Sequence, residues 1–109
     1  MPSADASAAP AESMVPAGVR IKVEVLNGTR VRGLARRATT YLRDRGFDVV
    51  EMGTSNEQRT RTIVLDRSNH PDRAKLVGAA LGAEVASRPD STRFLDVPVV
   101  LGHDWRPPP

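Results

Sequence analysis

Seven consecutive residues, Asn27-Gly-Thr-Arg-Val-Arg-Gly33, stand between a run of strand-like alternation and a run with helical spacing. A loop in that position presents backbone N–H groups at the positive end of a helix dipole, the combination that holds a phosphate or a carboxylate. Two phosphate-binding patterns share its outline, and both fail. The nucleotide-hydrolase loop also has four residues between its glycines, but it needs a Lys and then a Ser or Thr to grip phosphate and magnesium. Here Leu34 and Ala35 follow Gly33. The dinucleotide fingerprint needs a third glycine in register and an acid after the next strand, and only its first spacing can be forced onto this chain. Two readings stand. In one, Gly28 makes a turn and Gly33 lets a helix start close to a sheet. In the other, Asn27, Gly28, Thr29, Arg30, Arg32 and Gly33 hold an anion or a glycan.

The remaining reactive side chains are sparse. His70 precedes a proline and His103 sits beside Asp104, and neither has a second ligand at the spacing a metal site needs. No serine lies in a nucleophile elbow, and no two carboxylates are posed for glycoside cleavage. With no cysteine in the chain, disulfides, thiolate metal sites and cysteine nucleophiles are excluded. The expectation is a protein that is not an enzyme and carries no cofactor. Trp105, the single tryptophan, suits the edge of a core more than a sugar platform.

Charge is concentrated rather than large. The formal net charge is +3, and residues 1–18 hold Asp5 and Glu12 and no Lys or Arg, the first base being Arg20. Arg30, Arg32, Arg36, Arg37, Arg43 and Arg45 gather on the loop and the helical run behind it. Such a surface attracts nucleic acid, anionic lipid headgroups or acidic glycans alike. Aromatic residues are only 4% of the chain and none interleaves with these arginines, so the base stacking of a single-strand binder is poorly supported. A solvated helical face is the plainer reading.

The elements that must position these groups can be read from periodicity. Residues 1–18, rich in Ala, Ser and Pro, are expected to be a flexible linker, residues 19–105 a single domain, and residues 106–109 a tail without structure. Neither an apolar span of membrane length nor an export signal is visible in the sequence given. Arg20 to Leu26 alternates, burying Ile21, Val23 and Val25 on one face of a strand. From Gly33 the period becomes helical, with Leu34, Ala38, Tyr41 and Leu42 inward, and Gly46 ends the helix. Strands follow at Phe47–Met52 and Thr60–Asp66. A second helix opens at Pro71-Asp72, buries Ala74, Val77, Ala80 and Leu81, and stops at Gly82. Ala83–Ser87 and Phe94–Leu101 read as the last strands, with a loop over 88–93 between them.

The order is thus β-α-β-β-α-β-β. Leu26, Ala35, Ala38 and Leu42 match Leu65, Ala74, Val77 and Leu81 at a constant offset of 39 residues, so the two strand–helix–strand halves form a weak internal repeat. Right-handed crossovers put both helices on one face of a mixed sheet of four to five strands, an α/β (α+β) two-layer sandwich. The order of strands within that sheet is not readable.

Taken together, Val23-Glu-Val-Leu-Asn-Gly-Thr29, Gly33-Leu-Ala35, Gly46-Phe-Asp-Val49, Thr62-Ile-Val64, Leu81-Gly82 and Asp96-Val-Pro-Val-Val-Leu-Gly-His-Asp104 resemble the LytR C-terminal domain family. The strand ending in Leu-Asn-Gly-Thr and the closing Val-Val-Leu-Gly-x-Asp are the most specific pieces. A tyrosine frequent in the family's third strand, near Leu65, is missing. The resemblance implies a non-catalytic, extracytoplasmic accessory domain of a bacterial cell-envelope protein, membrane-associated only through an anchor upstream of this chain. Its implied partner is cell-wall glycan or an envelope protein, and it adds Asp104 to the candidate ligand-binding residues. The alternative is a cytoplasmic nucleic-acid-binding module that uses the arginine-rich first helix.

Overall fold

In a computed structural model of the chain, residues 15, 16, 18–66, 71–87 and 97–107 are described. The elements are β1 (Lys22–Asn27), α1 (Leu34–Arg43), β2 (Asp48–Thr54), β3 (Ile63–Asp66), α2 (Pro71–Leu81), β4 (Glu84–Ser87) and β5 (Val97–Leu101). Every element expected from periodicity is present in the expected order. Boundaries differ by a few residues: β3 begins at Ile63 rather than Thr60, because residues 59–62 are held in a different pairing described below. His70, the loop at 88–93 and the start of the last strand at Phe94 lie outside the described residues, as do 1–14 of the expected linker.

The five strands form one mixed sheet in the order β2-β1-β5-β3-β4. β1 runs parallel to both β2 and β5, whereas β3 is parallel to β4 and antiparallel to β5. The two strand–helix–strand halves therefore lie on either side of β5 and run in opposite directions, so the offset of 39 residues seen in the sequence relates equivalent places in the fold. Tyr41 and Ala80, also 39 apart, meet directly: the Tyr41 hydroxyl donates to the Ala80 carbonyl at 2.6 Å. That contact joins α1 to α2 and requires both helices on the same face of the sheet.

The core lies between the helices and the sheet. Ile21 just before β1, Val23 and Val25 within it, Val97, Val99 and Leu101 of β5, and Val64 of β3 are fully buried against it. Leu34, Ala38 and Leu42 of α1 and Ala74, Val77 and Leu81 of α2 face them, as the helical spacing requires. Each fully buried Val or Leu contributes roughly 1.5–3 kcal/mol. Trp105 closes the edge of this layer, 6% exposed, with its ring set edge-on to Tyr41 at a centroid distance of 5.9 Å. The Val15 N–H donates to the Arg45 carbonyl at 3.0 Å, and its side chain packs on the core.

Candidate functional site

β1 and β5 are parallel and β3 is antiparallel to them, so the C-terminal ends of β1 and β5 and the N-terminal end of β3 share one edge of the sheet. The Asn27–Gly33 loop, residues 55–62 and the Gly102–Asp104 turn meet there. Asn27 organises its loop. Its amide donates to the Val31 carbonyl at 2.9 Å, and its Oδ1 accepts from the Thr29 N–H at 2.9 Å and the Thr29 hydroxyl at 2.6 Å. The Thr29 Oγ1 in turn accepts from the Val31 N–H at 3.0 Å. These are local side-chain bonds of the kind that fix a turn in place of a regular ladder.

Gly28 and Gly102 are set by close backbone approach. The Gly28 N–H donates to the Leu101 carbonyl at 2.9 Å, and a Cβ on Gly28 would lie 2.6 Å from that same oxygen. A Cβ on Gly102 would lie 2.2 Å from the Arg61 carbonyl carbon. Gly33 departs from expectation: nothing lies within 4 Å of where its Cβ would be, and its φ of +81° is what calls for glycine. The helix therefore does not start unusually close to the sheet. The chain enters it through a left-handed residue.

Residues 59–62 thread between the two glycine turns. The Arg59 N–H donates to the Gly28 carbonyl at 2.7 Å, while the His103 and Asp104 N–H groups donate to the Arg59 and Thr60 carbonyls, each at 3.0 Å. Thr62, 3% exposed, is the junction. The Asp104 Oδ1 accepts from the Thr62 N–H at 2.8 Å and from its hydroxyl at 2.9 Å, and the Thr62 Oγ1 accepts from the Gly102 N–H at 2.9 Å. Sequence reasoning missed Thr62 because its partners follow it by some forty residues and no local pattern marks the pairing.

Of the residues singled out in the sequence, the structure brings Asn27, Gly28, Thr29 and Asp104 to one edge and engages their polar groups in holding it together. Arg30 and Arg32 are exposed, and their guanidinium groups have no hydrogen-bond or ion-pair partner among the described residues. The same holds for Arg36 and Arg37 on the first turn of α1. Arg20 pairs with Asp48 at 2.6 Å at the opposite edge of the sheet.

Two shallow grooves flank Tyr41. One, of about 410 Å³, is bordered by Asp104, Trp105, Arg106, Tyr41 and Gly82. The Arg106 guanidinium donates to the His103 carbonyl at 2.6 Å, and Asp104 is held by Thr62. The other, of about 520 Å³, runs along α1 between the rows Arg36-Thr40-Asp44 and Arg37-Tyr41-Arg45, with Pro107 beside it. Arg45 lies over the Tyr41 ring, 3.7 Å from its centroid, so that face of the ring is covered. No cluster of three or more potential metal-ligating side chains occurs among the described residues.

These features define a small two-layer α+β domain whose specific motifs serve its architecture and whose described surface carries two shallow grooves beside Tyr41. Residues 20–105 match the model of the family described as LytR cell envelope-related transcriptional attenuator, and the chain belongs to that family, one of accessory domains of cell-envelope proteins. The resemblance carried by the Leu-Asn-Gly-Thr and Val-Val-Leu-Gly-x-Asp motifs is thereby borne out. Among solved structures, the chain is similar to the soluble domain of a conserved hypothetical secreted protein from Mycobacterium marinum, an ortholog of Rv2700. That likeness has 18% identity and a TM-score of 0.56, covering 92% of this chain and 70% of that one. It shows a shared fold. The chain is also similar to the C-terminal domain of RV0431, at 28% identity and a TM-score of 0.48, over 82% of this chain and 77% of that one. No curated protein matches. No helix among the described residues is long and apolar enough to cross a membrane.

Proposed function

We propose that this domain is a non-catalytic, extracytoplasmic binding module that holds cell-wall glycan or an envelope protein partner during wall polymer assembly, and that it does so at the groove beside Asp104. Membership of an envelope-associated family over residues 20–105 supports the location and the class. The observation that carries the reading is the groove's lining: Asp104 and Arg106 border one depression together with Tyr41 and Trp105. Carboxylate and guanidinium groups bond the hydroxyls and amides of a glycan or of a polypeptide. Asn27, Gly28, Thr29 and Gly33 then act as the frame that fixes the Asp104 turn, through the bond from the Gly28 N–H to Leu101 and the strap of residues 59–62. Arg30 and Arg32 project from the frame.

A module of this kind raises the local concentration of whatever enzyme or scaffold it is joined to. Retention of the purified chain on peptidoglycan sacculi at low salt is the expected result, reduced in an Arg106→Gln variant, whose exposed side chain can be changed with the urea midpoint staying near the wild-type value. Absence of retention at low salt sinks the glycan form of the reading. Single-strand stacking of nucleic acid gains no support from the aromatic side chains among the described residues, since Phe47 and Trp105 are buried and Arg45 covers a face of Tyr41.

A further inference from the structure

We infer that the tip formed by Arg30, Val31 and Arg32, together with Arg36 and Arg37 on the first turn of α1, is a docking surface for an anionic phospholipid bilayer. The tip and the groove beside Asp104 share no residue, so the inference does not depend on the reading above. All five residues are exposed. The four guanidinium groups are without partners among the described residues, and no acidic residue lies in the first turn of α1. Arg36 and Arg37 stand at the positive end of their helix, where a cation is disfavoured and an anion is favoured. The acids within reach are few: Glu57 borders Gly28 in the neighbouring segment, Asp104 is engaged by Thr62, and Asp44 lies beyond the far end of α1.

Val31 separates a bilayer from other polyanions. It is 42% exposed, one of four large hydrophobic side chains so exposed among the described residues, and it alone is flanked on both sides by arginine. Its exposure is built in. The Val31 N–H donates to Thr29 Oγ1 at 3.0 Å and its carbonyl accepts from Asn27 Nδ2 at 2.9 Å, which pins the backbone and leaves the side chain pointing off the loop. Cationic residues around an apolar side chain match a membrane surface, where the headgroups carry the anions and the acyl boundary accepts the valine. Guanidinium forks suit phosphate oxygens because they donate in pairs. A single-stranded nucleic acid offers the same phosphates but calls for exposed aromatic faces, and among the described residues Phe47 and Trp105 are buried.

The test is co-sedimentation of the 109-residue chain with vesicles at low salt, using phosphatidylcholine alone and phosphatidylcholine mixed with phosphatidylglycerol. Binding to the mixed vesicles and weak binding to the neutral ones is the expected result. Because each basic residue near an anionic surface contributes about a fivefold change in partitioning, Arg30→Gln/Arg32→Gln and Arg36→Gln/Arg37→Gln are each expected to lower it roughly 25-fold. Val31→Asp is expected to lower it as well, whereas the remote Arg20→Gln leaves it near wild type. Equal binding to neutral vesicles, wild-type binding by Val31→Asp, or tighter binding to a single-stranded oligonucleotide than to the anionic vesicles would each overturn the inference. All of these variants alter exposed side chains, and circular dichroism with a urea midpoint establishes that each is folded.

Discussion

Replacing Gly102 with alanine tests whether the closing Leu-Gly-x-Asp motif is a packing device. The added Cβ would stand 2.2 Å from the Arg61 carbonyl carbon, 2.6 Å from its oxygen and 2.6 Å from the Thr62 nitrogen. Ordinary carbon contacts lie at about 3.5–4.0 Å, so the two backbones must separate by more than an ångström. Neither is free to do so. The Gly102 N–H is bonded to Thr62 Oγ1 at 2.9 Å, and the His103 and Asp104 N–H groups to the Arg59 and Thr60 carbonyls at 3.0 Å. Overpacking costs about 1–3 kcal/mol, and stretching two of these hydrogen bonds adds about 1 kcal/mol each. The expected destabilisation is therefore about 3–5 kcal/mol, a large share of the roughly 5–10 kcal/mol a domain this small possesses. With a urea slope of about 1 kcal/mol/M, the unfolding midpoint falls by about 3–5 M. Gly33→Ala is the matched control. It meets no atom within 4 Å and suffers only its φ of +81°, a cost of about 1–2 kcal/mol. Equilibrium urea titrations of both variants decide the matter. If Gly102→Ala is no less stable than Gly33→Ala, backbone approach is not what the glycine in this motif serves.

Two further substitutions probe the same architecture. Asp104→Ala removes the acceptor for the Thr62 N–H and hydroxyl, leaving a buried donor unsatisfied at a cost of about 1–3 kcal/mol, while Asp104→Asn, which keeps an acceptor oxygen, recovers part of it; urea titration of the pair measures the difference. Tyr41→Phe deletes the 2.6 Å bond to Ala80 and is expected to cost about 1 kcal/mol, read as a lower thermal midpoint without loss of the folded signal in circular dichroism.

The elements of this fold were legible because each buries one face. The alternation of Ile21, Val23 and Val25 and the helical spacing of Leu34, Ala38 and Leu42 announce strand and helix through the burial they require. Strand order was not legible. β5 pairs with β1 on one side and β3 on the other, and its apolar run Val97 to Leu101 records only that it is central, not which neighbours it takes. At the edge where the loops meet, sequence located Asn27, Gly28 and Asp104 but not their use. Side-chain type shows that an asparagine or aspartate can bond a backbone, and only the fold shows that Thr62 supplies the backbone for Asp104. Gly33 illustrates the same limit: its identity signals a special position, but a tight approach and a left-handed φ leave the same letter in the sequence.

The placement of β5 has a consequence for the order in which the molecule can be made. The two strand–helix–strand halves emerge from the ribosome first, each able to form its own local contacts. Neither touches the other through the sheet, because the strand that stitches them is the last one translated. Cooperative closure is thus a late, long-range event, and loop-closure entropy over most of the chain must be overcome at that single step. A nascent chain halted before Val97 would carry two unzipped half-sheets with bare inner edges, β1 on one side and β3 on the other, ready to accept a strand from a different molecule.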